Sequence, residues 1–139
     1  MIIVLDSNAA IEIVLNREKG KEFSKIIETA EKVITSEFFR IEVVNVIRKY
    51  YQEKYIKKTD CGTMLELAEG LIDEFIPIKE NYQEAFNESI RLNYTSYDML
   101  YLTLARRTGA MLMTLDRPLN AIAKKEGIET AENEQYGNL

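Results

Sequence analysis

Four acids stand out in this chain by position: Asp6, Glu42, Asp98 and Asp116. Asp6 ends the apolar run Ile2-Ile3-Val4-Leu5, and Asp116 closely follows the apolar run that begins at Ala110. Glu42, at about 100° per residue, falls within roughly 40° of Phe38 and Val46 on the rim of an apolar helical face, whereas a solvated glutamate belongs on the opposite side. Carboxylates gathered in one cleft repel one another, and burial makes their charged forms costlier still, so a cluster of this kind calls for a compensating cation. With no histidine and one cysteine, Cys61, the chain offers hard oxygen donors, which suit Mg²⁺ or Mn²⁺. Such an ion lowers the pKa of water, orients a phosphodiester and stabilises the leaving oxygen of an in-line displacement.

Each acid also has a plain structural explanation. Asp6 and Asp116 suit helix N-caps, the second of them just before Arg117-Pro118, where proline fits a first helical turn. Asp98 lies three residues after Thr95, the spacing of a capping box. Taken singly, the capping readings of Asp6 and Asp116 lead; the set of four points to chemistry. Ser7, Asn8 and Thr114 add polar groups beside the two strand ends, and Asn45, one turn beyond Glu42, is placed to orient that carboxylate, although caps and turns account for such residues as well. Glu37 is explained by the dipole at a helix start.

Composition narrows the chemistry further. Without histidine there is no Ser-His-Asp triad, no Cys-His pair and no H-E-x-x-H zinc site, so carboxylates must carry any hydrolysis. A chain of 139 residues, 46% hydrophobic, can bury one core without disulfides or structural zinc. The lone cysteine suits a reducing compartment, and Asp6 cuts the opening apolar run far short of a signal core or membrane span, so the expectation is a soluble, cytoplasmic protein. A net charge of −5 argues against coating nucleic acid through an overall positive field. A local basic rim remains open to Arg17, Lys19, Lys21, Arg48, Lys49, Arg106, Arg107 and Arg117.

The elements that must position these acids alternate in type. Short β-branched-rich runs at 2–5 and 33–35, and the apolar run 110–114, read as strands buried on both faces, with the first central. The run 75–78 contains Pro77 and reads as an edge strand. Helical spacing marks 9–15, 19–30, 36–54 with Ser36 as a cap, 59–72, 81–92, 96–107 ending at Gly109, and a last helix from Pro118 to Gly127. Ile128 can begin a weak fifth strand. The pattern predicts one α/β domain over 1–131, a mainly parallel sheet with helices on both faces, and a polar tail over 132–139. Such sheets place ligands beyond the carboxyl ends of their strands, where Asp6 and Asp116 stand.

The spacing is similar to that of a known family. Ile3-Val4-Leu5-Asp6-Ser7-Asn8 resembles the opening of PIN domains, and Glu42-Val43-Val44-Asn45-Val46-Ile47-Arg48 resembles their E-x-x-N-x-L helix. The stretch from Thr95 to Ala105 resembles the helix that carries the family's third acid, and Leu112-Met113-Thr114-Leu115-Asp116 the strand that ends in its fourth. The resemblance implies about five strands in the order 3-2-1-4-5 and a VapC-type toxin ribonuclease dependent on Mg²⁺ or Mn²⁺. It also implies 5′-phosphate and 3′-hydroxyl products, a homodimer, and neutralisation by a small VapB-like antitoxin. Two departures qualify it: Thr35-Ser36 stands where many relatives have proline, and Arg117-Pro118-Leu119 supplies no fifth acid, which favours one bound ion in the resting protein.

Two rival readings remain open. One is a PIN-like scaffold that holds RNA or protein without cutting; the other is a receiver domain transferring phosphoryl groups to aspartate. The second fits less well, because Asp6 stands without an acidic neighbour and no lysine follows the fourth strand.

Overall fold

A computed structural model of the chain describes residues 1–131; the tail expected over 132–139 lies outside the described residues. Strand β1 (Ile2–Leu5) leads into α1 (Ser7–Val14) and α2 (Glu18–Glu28), and β2 (Lys32–Ser36) into α3 (Phe38–Gln52) and α4 (Lys58–Gly70). Strand β3 (Glu74–Ile76) is followed by a 3₁₀ turn (Ile78–Glu80), α5 (Tyr82–Leu92) and α6 (Ser96–Thr108), and β4 (Met111–Met113) by α7 (Arg117–Lys125).

The sheet is parallel throughout, in the order β3-β2-β1-β4. The expected fifth strand shrinks to a single bridge: Thr130 pairs with Leu112, and the Leu112 amide donates to the Glu129 carbonyl at 2.8 Å. Gly127, with φ +74°, turns the chain out of the last helix into this short approach. Pro77 limits β3 to three residues at the sheet edge, where a missing donor breaks no ladder. The receiver alternative fails here, since that fold sets its first strand beside its third, whereas β1 lies between β2 and β4.

Helices flank the sheet. Ile3, Val4 and Leu5 of β1 and all of β4 are buried, as strands covered on both faces must be. Helix α6 packs across β1, β2 and β4 and against α5, while α1 to α4 pack on one another. The approach of α2 to α1 needs Gly20: a Cβ there would fall 2.1 Å from the Glu12 carbonyl oxygen. Because β1 is interior, its carboxyl end and that of β4 stand side by side, with Leu5 in register with Met113. This pairing brings together Asp6 and the turn carrying Asp116. Among the described residues no helix is long and apolar enough to cross a membrane.

Candidate active site

Asp6 directly follows β1 and Asp116 stands three residues beyond β4, and both do what a capping residue does. The Ala9 amide donates to Asp6 Oδ1 at 3.0 Å, and the Leu119 amide to Asp116 Oδ1 at 2.9 Å. Capping therefore does not compete with a site: it fixes each carboxyl at the mouth of the cleft through Oδ1. Asp6 is buried, and that burial, with smaller repulsion from Glu42 and Asp98, pushes its carboxyl up to about 8 against the pull of Thr114 and the Ala9 amide.

Glu42 enters from α3, flanked by half-buried Phe38 and Val46 as its helical angle requires. Its Oε1 accepts from the Ser7 hydroxyl at 3.2 Å and from the Tyr101 phenol at 2.5 Å. Burial raises its pKa, these two donors oppose the rise, and Asp98 adds repulsion. Asp98 sits in the first turn of α6. The Asp98 amide donates to Thr95 Oγ1 at 3.2 Å, the helix cap the spacing predicts, and the Thr95 hydroxyl donates to Asp98 Oδ2 at 2.8 Å. Burial and then Asp116 raise the Asp98 pKa. The acids thus form a chain of mutual repulsion: Asp6 feels Glu42 and Asp98, Glu42 feels Asp98, and Asp98 feels Asp116.

The smaller polar residues bind this cluster together. Thr114 accepts from the Asp116 amide at 3.0 Å while holding Asp6, and Asn8 Oδ1 accepts from the Leu115 amide at 3.0 Å, tying the exit of β4 to α1. The donors to Glu42 are Ser7 and Tyr101; Asn45, one helical turn beyond, is exposed and lines a groove together with Glu42. Sequence reasoning missed Tyr101 and Tyr94. The Tyr94 phenol donates to both Asp116 oxygens, at 3.0 and 3.1 Å, and burial with that carboxylate pushes it up to about 12. Tyr101 carried a signal, standing three residues after Asp98 on the same helical face, where a fully buried tyrosine needs a partner for its hydroxyl.

The basic rim is smaller than the sequence allows. Arg106 and Arg107 are held by Glu84, and Arg106 also by Glu88, on the outer side of α5 and α6; Arg17 pairs with Glu12. Lys19, Arg117 and Lys124 line a groove of about 570 Å³ whose wall includes Thr114. Among the described residues no three acidic side chains lie close enough, as placed here, to enclose a metal ion directly.

One buried and one half-buried carboxyl beyond the carboxyl ends of two parallel strands, joined by two more from flanking helices, make an acidic cluster on an α/β sheet. The chain belongs to the PIN domain family, whose sequence profile matches residues 3–125. It is 27% identical over 124 residues to ribonuclease VapC3 of Pyrobaculum aerophilum, covering 86% of this chain and 92% of that one. The crystal structure of PAE2754 from Pyrobaculum aerophilum superposes with a TM-score of 0.72 at 20% identity, over 96% of this chain and 94% of that one. VapBC-1 of nontypeable Haemophilus influenzae superposes with a TM-score of 0.63 at 15% identity, over 94% and 96% of the two chains. VapBC2 of Rickettsia felis, solved bound to promoter DNA, gives 0.62 at 15% identity over 84% and 88%.

Proposed function

We propose that this chain is a Mg²⁺- or Mn²⁺-dependent endoribonuclease of the VapC type, with Asp6, Glu42, Asp98 and Asp116 as its metal-holding acids. The observation that carries the reading is the set of coupled carboxyls, three of them with raised pKa from burial and all of them anchored by named donors. Burying acids beside one another without a counter-charge is costly, and a divalent cation removes that cost. The donor set fits a hard ion. Sequence alone favours Asp6, Glu42 and Asp98 or Asp116 as direct ligands, with the remaining acid acting through water. Since no three acids among the described residues are placed to enclose an ion directly, the reading here is instead a partly hydrated ion held by one or two carboxylates. A cation bound there would supply positive charge that lowers the pKa of a nearby water and offsets the negative charge developing on the phosphoryl and leaving oxygens.

The protein's own groups do the rest. Ser7 and Tyr101 hold Glu42 in one orientation, Thr114 and the Ala9 amide hold Asp6, and Tyr94 holds Asp116, so the acids are positioned before substrate arrives. The groove lined by Lys19, Arg117 and Lys124 reaches the cluster at Thr114 and gives the RNA backbone a cationic path. In-line attack by water breaks the P–O3′ bond and leaves a 5′-phosphate and a 3′-hydroxyl, which takes up a proton. The similarity to VapC3 and to VapBC structures supports a VapB-like antitoxin partner. The reading adds a homodimer and an antitoxin side chain, basic or aromatic, set near the four acids, where arginine suits carboxylates best.

The test is incubation of single-stranded RNA with the purified chain in Mn²⁺ or EDTA. Cleavage in Mn²⁺, absent in EDTA and leaving 5′-phosphates, is expected. RNA that binds yet stays intact in Mn²⁺ would establish the scaffold alternative instead. A light-scattering mass of one chain at micromolar concentration would remove the homodimer.

A further inference from the structure

Beside the acids, on the α3 side, lies a second groove of about 580 Å³ that the cleavage chemistry does not use. Glu42 forms part of its wall, and Tyr97, immediately before Asp98, forms another part. The Tyr97 ring is stacked on Phe38, with centroids 4.9 Å apart and planes within 4°. Tyr97 is 60% exposed, so its inner face is taken by Phe38 and its outer face meets solvent. Ile41 and Val44 add apolar wall, and two polar side chains able to pair with a base edge, Asn45 and Arg48, also line the groove; both are exposed.

We infer that Tyr97 is a stacking platform for one unpaired nucleobase next to the scissile phosphate, with Asn45 and Arg48 reading its edge. This rests on the ribonuclease reading above. A ring already held flat by a second ring stacks on a base at little conformational cost, and every base presents a π-face, so the platform supplies affinity while the amide and guanidinium supply choice. Position suits a nucleotide, because the groove shares Glu42 with the acidic cluster, so an RNA whose phosphate meets the acids brings the adjoining base to Tyr97. The opposite flank of the same aromatic pair differs: it is walled by Ile78, Tyr82, Phe86 and Leu100 and carries no charged side chain. Gln83 and Ser96 give that flank neutral polar groups, whereas the flank facing Glu42 adds the charged Glu42 and Arg48 to the aromatic face. Tyr97 would therefore be a specificity residue, acting on the base while the four acids act on the phosphate.

The experiment uses short single-stranded RNAs carrying an abasic nucleotide at one position at a time, cleaved in Mn²⁺ by wild type, Tyr97→Phe and Tyr97→Ala. For wild type, one abasic position adjoining the cut lowers kcat/KM by about tenfold, within the roughly five- to hundredfold range of base–aromatic stacking. Tyr97→Phe keeps that penalty. Tyr97→Ala cuts intact RNA about tenfold more slowly and shows no abasic penalty, while Asn45→Ala and Arg48→Ala flatten the base preference at that position. An equal abasic penalty in wild type and Tyr97→Ala overturns the inference. So does a Tyr97→Ala protein whose base preference is intact and whose light-scattering mass has changed, which would assign the ring to a protein interface. If wild type does not cut RNA, the ribonuclease reading fails first. The abasic comparison is then read in the anisotropy of labelled RNA bound to the same proteins, and an unchanged penalty there overturns the platform separately.

Discussion

The Tyr101 phenol donates to Glu42 Oε1 at 2.5 Å across 59 residues of sequence, from a side chain with no exposed surface. The bond joins α6 to α3 directly beneath the cluster and, with Ser7, holds one of the four acids from within the core. Tyr101→Phe keeps the packing and removes only the donor. The expected result is a folded protein with RNA cleavage reduced about 10- to 100-fold, as for loss of a group that orients a metal-holding carboxylate. Stability should fall by about 1 to 3 kcal/mol, from a buried acceptor left with fewer partners. Wild-type rates in Tyr101→Phe across a range of Mn²⁺ concentrations would show that Glu42 needs no such support.

Asp6→Asn, Glu42→Gln, Asp98→Asn and Asp116→Asn should each remove most cleavage, on the order of a hundredfold or more, and pairs should lose little beyond the singles because the groups act as one unit. Asp98→Asn is the sharpest of the four. An asparagine there can still exchange hydrogen bonds with Thr95, so the helix start survives while the charge is lost. A purified Asp98→Asn protein that cuts RNA at the wild-type rate in Mg²⁺ would leave Asp98 with a capping role alone.

Divalent metal should stabilise the fold. A ligand that binds only the native state at a hundredfold excess over its Kd adds about 2.7 kcal/mol, which for a chain of this length raises the melting temperature by roughly 5 to 15 °C. Asn at Asp6 or Asp116 should raise the metal-free melting temperature and shrink the Mn²⁺ increment. Thermal melts in EDTA and in millimolar Mn²⁺ at constant ionic strength give both numbers. Equal increments in wild type and both variants would dissolve the four-acid site.

Without metal, stability should fall as pH rises through neutrality. Folded Asp6 keeps its proton up to about pH 8, while the unfolded side chain releases it near 3.8, so between those values the folded state binds more protons and rising pH favours unfolding. Glu42 and Asp98 shift in the same direction. Glu88, lowered chiefly by its hydrogen bond to Arg91, works oppositely but only in the acid range below its ordinary 4.5. The metal-free melting temperature should therefore be higher at about pH 5.5 than at about pH 8, and Asp6→Asn should flatten the slope. A wild-type melting temperature that climbs over that interval would contradict the burial of a protonatable Asp6.

Much of this was legible in the residues themselves. The apolar runs at Ile2–Leu5 and before Thr114 can only be covered strands, and the polar triplet Asp6-Ser7-Asn8 and the Asp116-Arg117-Pro118 sequence can only be strand-to-helix turns, so two acids were set at strand ends by local chemistry alone. The angle of Glu42 on its helix placed it at the border of the core in the same way. What local sequence cannot carry is adjacency. That β1 lies next to β4, setting Asp6 beside the turn of Asp116, follows from the sheet order, which depends on packing between segments a hundred residues apart. The same holds for the partners of the acids. Tyr94, between α5 and α6, and Tyr101 on α6 read as ordinary aromatic positions until the fold brings Asp116 and Glu42 to their hydroxyls. Residue type and spacing determined which groups could do the chemistry; the tertiary structure decided which of them meet, because a hydrogen bond is fixed by distance in space and the chain is folded by surfaces that no short window contains.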